Sequence, residues 1–250
     1  MDMSTNPRRP WLYRAVKKAR PSLDRLIARY SEIPDTPVLN PADFPFTRML
    51  RESWLMIRHE AETVLANPDG IPPLAAISPD HRRIAPIAEW QSFFLHGYGT
   101  PIAENLARCP KTARLIGAIP DLNSAFFSVL RPGAHIPPHR GVTKGLVTTH
   151  LGLVVPAGAG CRMRIGSEIV RWGHGETLTF DDTFEHEVWN DTPETRVVLL
   201  IQTRRRLRFP GTVVADALLW GIRRSPFVRE GVANLSAWNA AHRTGDRTRG

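Results

Sequence analysis

Two histidine-bearing segments, PGAHIPPHRG around His139 and FDDTFEHEVWND around His186, bracket the apolar run HLGLVVP, and Arg196 follows ten residues after the second histidine. Neutral imidazole is a good ligand for divalent iron, manganese, nickel or zinc. Two imidazoles on separate strands, followed by a strand-borne cation, point to a metal site that also holds an anionic cosubstrate. The usual non-haem iron site adds a carboxylate to complete a facial triad, in many oxygenases two residues after the first histidine. Here that position is Gly141, which has no side chain to offer. Asp181, Asp182, Glu185 and Glu187 are the carboxylates nearby. Strand alternation turns Glu185 and Glu187 to the face opposite His186, and an extended chain would hold Asp182 ~13 Å away along the strand. The literal reading is a two-histidine site, with His135 as a further imidazole four residues before His139.

Arg196 opens the apolar run RVVLLIQ. A guanidinium buried there is expensive without an anionic partner, and its planar fork suits a carboxylate, so a dicarboxylate cosubstrate is the natural match. Taken singly, each residue has a plainer reading: a strand-start arginine reaching solvent, or a structural histidine. The order and spacing of the three together carry the metal-site reading. Trp172 and Trp189 are expected to pack the core or its rim.

The elements that must hold these residues change character along the chain. Residues 1–80 carry helical patterns, from Tyr13 to Tyr30 and from Pro45 to Leu65, where Leu50, Trp54, Ile57, Ala61 and Leu65 recur at helical spacing. Asn40 or Asp43 is placed to cap the second helix. From 81 to 208 the texture becomes short apolar or alternating runs bounded by Pro and Gly, among them AFFSVL, THLGLVVP, CRMRIG, ETLTFDD and HEVW. That succession predicts an antiparallel β sandwich or barrel. Residues 209–250 return to helical character, with Val213, Leu218, Leu219 and Ile222 ahead of Arg223 and Arg224.

With 250 residues, 42% of them hydrophobic, the chain has enough apolar surface for one core with terminal additions. The 22 prolines and 18 glycines fit short strands joined by turns better than a helical bundle. A net charge of +9 allows an anionic partner such as nucleic acid, an acidic membrane surface or a phosphorylated lipid. The plainer alternative is that the excess sits in basic clusters at Arg8 to Arg20, Arg204 to Arg208 and the last eight positions. The start MDMSTNPRRPW has no apolar run behind its basic residues, so no secretory signal or span is expected there. Cys109 and Cys161 form no CxxC pair, which argues against a thiolate metal site or disulfide framework and leaves a reducing cytoplasm as the simplest compartment.

The stretch AFFSVLRPGAHIPPHRGVTKGLVTTHLGLVVP, followed by CRMRIGSEIVRWGHGETLTFDDTFEHEVWNDTPETRVVLLI, resembles the aspartyl/asparaginyl β-hydroxylase family of 2-oxoglutarate-dependent oxygenases over about Asp121 to Ile201. The segments WQSFFLHGYG and RCPKTARLIGAIP look like its bacterial branch, which includes lipid A 2-hydroxylases. The resemblance implies a mainly β fold with flanking helices: a double-stranded β-helix, or cupin-like jelly roll, binding Fe(II) through two histidines only. Carried over by position, His139 and His186 become the iron ligands, and Arg196 the partner of the distal carboxylate of 2-oxoglutarate. Ser128 assists that carboxylate and His150 lies near the metal-chelating end of the cosubstrate. Family members commonly carry an arginine two residues before that second-strand histidine; this chain has Thr148, for which Arg164 or Lys144 are the candidate substitutes.

The implied activity is hydroxylation of an unactivated C–H bond, on a protein Asp/Asn side chain or a lipid acyl chain, with release of succinate and CO2. The run FPGTVVADALLWGIRRSPF joins Trp220 and leucines to arginines, either as a helix packed over the jelly roll or as a peripheral contact with an anionic membrane at the inner surface. Two other classes stay open: a catalytically silent jelly roll binding a lipid or other anionic ligand, and, ranked last for want of a recognised motif, a nucleic-acid-binding module.

Overall fold

Burial alternates along some strands and not along others, and this difference sets the layers. The runs CRMRI (161–165) and HEVWN (186–190) alternate buried with half-exposed residues, as a sheet with one wet face requires. The run LNSAFFSVL (122–130) is buried at every position after the first, so both of its faces are covered. The computed structural model describes residues 11–67, 70–78 and 88–243. Its helices are α1 (Trp11–Arg29), α2 (Phe46–Glu52), α3 (Trp54–Leu65), α4 (Leu74–Ile77), α5 (Ala103–Arg108), α6 (Pro110–Gly117), α7 (Gly211–Arg223) and α8 (Pro226–Arg243). Its strands are β1 (Val38–Leu39), β2 (Trp90–Gly97), β3 (Thr100–Pro101), β4 (Leu122–Leu130), β5 (His135–His139), β6 (Leu146–Val154), β7 (Cys161–Ile165), β8 (Glu168–Val170), β9 (Thr177–Phe180), β10 (His186–Asn190) and β11 (Arg196–Arg204).

The strands form a seven-stranded sheet, β1-β9-β6-β11-β4-β2-β3, and a four-stranded sheet, β5-β10-β7-β8, with antiparallel pairing throughout. From β4 to β11 successive strands alternate between the two sheets, except that β7 and β8 form a hairpin within the small one, and this is the winding of a double-stranded β-helix. The mainly β jelly roll with flanking helices expected from the sequence is therefore the observed fold.

The period of two along each strand then sorts side chains between two compartments. On the large sheet Phe127, Val129, Leu151, Leu199 and Ile201 point outward, into a cluster completed by Leu50, Ile57 and Ala61 of α2 and α3. Their neighbours Ser128, His150, Arg196 and Leu200 point inward and line a cavity between the sheets. Registers Ser128↔Val198, His150↔Leu200 and Thr148↔Gln202 bring these inward residues level with one another. Gly152 has no room for a side chain, since a Cβ there would lie 2.2 Å from the Gly173 carbonyl oxygen. That approach folds the 172–176 segment tightly over β6, beside His150.

Several details differ from the sequence expectation. The helix expected over 45–65 breaks at Ser53 into α2 and α3, and Asn40 caps a 3-10 turn at Pro41–Asp43 through Ala42 N (3.0 Å), not the helix itself. Two helices, α5 and α6, interrupt the β-rich region between β3 and β4. Strand β1, in the helix-patterned N-terminal part, pairs with β9 and joins the large sheet. The expected boundary at 80/81, residues Arg8 and Arg9, and Arg247 and Arg249 near the end of the chain lie outside the described residues. No helix among the described residues is long and apolar enough to cross a membrane.

Candidate active site

Strands β5 and β10 are hydrogen-bonded neighbours, with His186 directly opposite His139 and their ring centroids 4.0 Å apart. His139 Nδ1 lies 2.9 Å from the Pro137 carbonyl, and His186 Nδ1 lies 3.0 Å from the Phe184 carbonyl. A carbonyl oxygen only accepts, so each Nδ1 carries the proton and each Nε2 keeps its lone pair; backbone contacts of this kind orient metal-binding imidazoles. Burial, with the neighbouring His186, pulls His139 down to about 4, and burial lowers His186 as well. Both rings are thus held neutral, the form that binds a metal. Among the described residues no cluster of three or more His, Cys, Asp or Glu side chains is placed to hold a metal ion.

The carboxylate question at Gly141 has a structural answer. A Cβ on Gly141 would lie 1.9 Å from Asp182 Oδ1, so the Asp182 side chain fills the space a larger residue would need. The ~13 Å separation expected along an extended chain does not apply, because the chain turns between β9 and β10 and carries Asp182 to the cavity wall. Thr148 Oγ1 and Gln202 Nε2 donate to Asp182 Oδ2 at 2.9 and 3.1 Å, while Oδ1 is buried without a hydrogen-bond partner among the described residues. Burial, then the nearby Asp181, raises Asp182 to about 6. Thr148 therefore does not leave a gap on β6: it holds this carboxylate.

Arg196 is 2% exposed, and its Nε and Nη1 have no hydrogen-bond partner among the described residues. Its guanidinium stacks over the Trp172 ring at 4.8 Å, and burial pulls its pKa down to about 10. A charge so enclosed is costly unless an anion joins it. Trp172 Nε1 donates to His150 Nδ1 at 3.1 Å, which puts the His150 proton on Nε2, a buried donor with no other partner among the described residues. Burial, Arg196 and His186 all lower the His150 pKa well below its ordinary value, so the ring stays neutral. Trp90 Nε1 donates to Ser128 Oγ at 3.0 Å, leaving the Ser128 hydroxyl proton free to point into the cavity. Arg196, His150 and Ser128 thus form a set of donors facing the same cavity as the histidine pair.

The remaining residues singled out from the sequence lie elsewhere. Lys144 Nζ is bound to Asp35 (2.6 Å) and Asp181 (2.7 Å), and Arg164 bridges Glu185 and Glu187 on the outer face of the small sheet. Neither supplies the cation that Thr148 lacks. His135 pairs with Glu187 at 2.8 Å and stacks on Trp189, away from the cavity. Trp172 is buried as expected, but as the platform for Arg196; its role, like those of Trp90, Asp182 and Gln202, depends on cross-sheet contacts that no local pattern announces. Arg20 of α1, which donates to the Gly141 carbonyl, gave no site signal either.

Beyond the polar end the cavity becomes apolar. Phe94 and Phe126, with ring centroids 4.5 Å apart, form one wall, while Ile77 of α4 and Val228, Val232 and Leu235 of α8 form another. Helix α8 contributes to this wall because it packs on α4.

Residues 51–206 match the aspartyl/asparaginyl beta-hydroxylase family. The chain is 36% identical over 216 residues to an ornithine lipid ester-linked acyl 2-hydroxylase of Rhizobium tropici, covering 86% of this chain and 77% of that protein. It is 30% identical over 173 residues to the human aspartyl/asparaginyl beta-hydroxylase, covering 66% of this chain but only 22% of that protein. Human aspartate beta-hydroxylase domain-containing protein 2 is 36% identical over 112 residues, 42% of this chain and 30% of that one. Among solved structures a DMSP lyase of Ruegeria pomeroyi overlaps 48% of each chain with a TM-score of 0.31 at 14% identity. A family match over most of the β core, joined to a relative aligned along most of both chains, makes this protein a member of the aspartyl/asparaginyl β-hydroxylase family.

Proposed function

We propose that the protein is an Fe(II)- and 2-oxoglutarate-dependent dioxygenase that hydroxylates a lipid acyl chain, releasing succinate and CO2. The residues present fit both groups. His139 and His186 offer two neutral imidazoles with free Nε2 lone pairs, a donor set suited to divalent iron. Arg196, with two unpartnered buried nitrogens, suits the far carboxylate of a dicarboxylate, and Ser128 and His150 Nε2 add donors along the same cavity. When bound, iron and 2-oxoglutarate would activate dioxygen, the oxidant, one atom of which would end in the hydroxylated C–H bond and the other in succinate; the protein's part is to bind, orient and exclude water. Trp172 fixes Arg196 from below and sets the His150 tautomer, so the anion meets donors already in place.

The observation that carries the substrate class is the apolar arm of the cavity, walled by Phe94, Phe126, Ile77 and the inner face of α8. An acyl chain fills such an arm; an Asp or Asn side chain leaves it unused. The rhizobial relative, named for acyl 2-hydroxylation and aligned over 86% of this chain, supports the same choice. The test is succinate release by the iron-loaded protein offered acyl lipids or Asp- and Asn-bearing peptides. Lipid-stimulated release is expected; stimulation by peptide alone would overturn the substrate class, and 2-oxoglutarate binding without succinate from any substrate would favour a silent ligand-binding jelly roll. His139→Ala and His186→Ala should each remove iron binding and succinate release, and full turnover in both would sink the ligand assignment.

A further inference from the structure

We propose that the outer face of α7, together with Phe209 just before it, is a docking surface for an anionic lipid bilayer. Six large hydrophobic side chains stand exposed among the described residues, and three of them, Phe209 (79%), Val213 (56%) and Trp220 (60%), fall within twelve positions. Val213 and Trp220 are seven residues apart, two turns along one face of the helix. The opposite face, Gly211, Ala215 and Leu219, is buried. It packs against α1, where a Cβ on Gly211 would lie 2.6 Å from Tyr30 Cβ, and against the Gly145 turn, where Ala215 is the neighbour. The helix is thus anchored on one side and apolar on the other. At 13 residues it is too short to span a bilayer and can only lie along one.

Charge identifies the occupant. Arg206 and Arg208 are exposed immediately ahead of Phe209, and Arg25 and Arg29 are exposed on α1, which packs beside α7. At the far end the Arg224 guanidinium lies 4.2 Å over the Trp220 ring, an arrangement that places a cation and an amphipathic aromatic at one depth. The exposed acids nearby are Asp216 and Asp121, which share Arg204, Asp35, which pairs with Lys144, and Glu32. A second copy of the chain docking through the same face would oppose these arginines to one another; an anionic headgroup layer satisfies them. The surface is also continuous with the cavity rim. Val142, a fourth exposed hydrophobic, lines the cavity three residues before Gly145, and α8 follows α7 after two residues to form the apolar wall.

The experiment is co-sedimentation of the full chain with vesicles of phosphatidylcholine alone or with phosphatidylglycerol added, and it requires no turnover. Docking and the hydroxylase reading can therefore fail separately. The wild type should bind the anionic vesicles preferentially and release them in about 0.5 M salt, where charges are screened within a few ångströms. Phe209→Ser with Trp220→Ser should weaken binding at least tenfold with an unchanged melting temperature, and Arg206→Ser with Arg208→Ser should flatten the salt dependence. Equal binding by wild type and the aromatic double variant, no preference for anionic vesicles, or a wild-type dimer that the double variant turns into a monomer would each overturn the proposal.

Discussion

Strand β11 begins with one buried arginine and is followed directly by another, and the two are treated in opposite ways. Arg205 is saturated: Nε donates to the Lys144 carbonyl (2.8 Å), Nη1 to Ser31 Oγ (3.1 Å), and Nη2 to Asp181. Arg196 has an aromatic platform and two nitrogens with no partner among the described residues. Both sit in surroundings where an uncompensated charge is expensive. The protein compensates the first from its own groups, which ties the segment after α1, the segment before β6 and the β9–β10 turn together. It leaves two nitrogens of the second without such compensation among the described residues, as the proposed cosubstrate site would require. Burial alone does not distinguish a structural charge from a receptor; the count of satisfied donors does.

The sharpest break of this comparison is at the anion of the saturated site. Asp181→Asn leaves Arg205 facing a neutral group and Lys144 with Asp35 alone, and should cost about 3–5 kcal/mol of folding stability, read as a lower midpoint in urea. Arg196→Met should do the reverse. Folding stability should hold or rise, because an uncompensated buried charge is replaced by an apolar chain. Binding of 2-oxoglutarate should fall by about 2–5 kcal/mol, measured by calorimetry on the metal-loaded protein. A third buried charge extends the saturated class: Glu60 of α3 accepts from Lys111 N (2.9 Å), Thr112 N (2.8 Å) and Thr112 Oγ1 (2.6 Å), closing the start of α6. Glu60→Gln should cost about 1–3 kcal/mol and leave ligand binding unchanged. The smallest effect belongs to Thr148→Ala, which removes one donor from Asp182 and should lower stability by about 1 kcal/mol in thermal melts.

The same contrast explains how far the sequence could be read. His139, His186 and Arg196 stand out as a set, because two imidazoles on separate strand-like runs with a guanidinium ten residues after the second have an order and spacing that suit a metal and an anion. Arg205 does not stand out, since its partners come from positions 31, 144 and 181 and meet only after the jelly roll closes. Ser128 and His150 could be named only through the family resemblance, because a serine and a histidine inside apolar runs carry no local signal. An extended-chain distance puts Asp182 out of reach and fails because the chain turns there, and Thr148 reads in sequence as a missing arginine although its hydroxyl holds that carboxylate. The strand texture from 88 to 202 conveyed the β core, whereas α5 and α6 were lost inside it because short helices bounded by Pro and Gly share the texture of strands.

The central claim is that Arg196 is held unpaired for an anionic cosubstrate beside a two-histidine iron site. Anaerobic titration of 2-oxoglutarate into the Fe(II)-loaded protein tests it most directly, read by the visible charge-transfer band of the chelate. The account predicts a saturable band in the wild type, and in Arg196→Met a band that requires at least about thirtyfold more 2-oxoglutarate. A band in the variant that saturates at the wild-type concentration would contradict it.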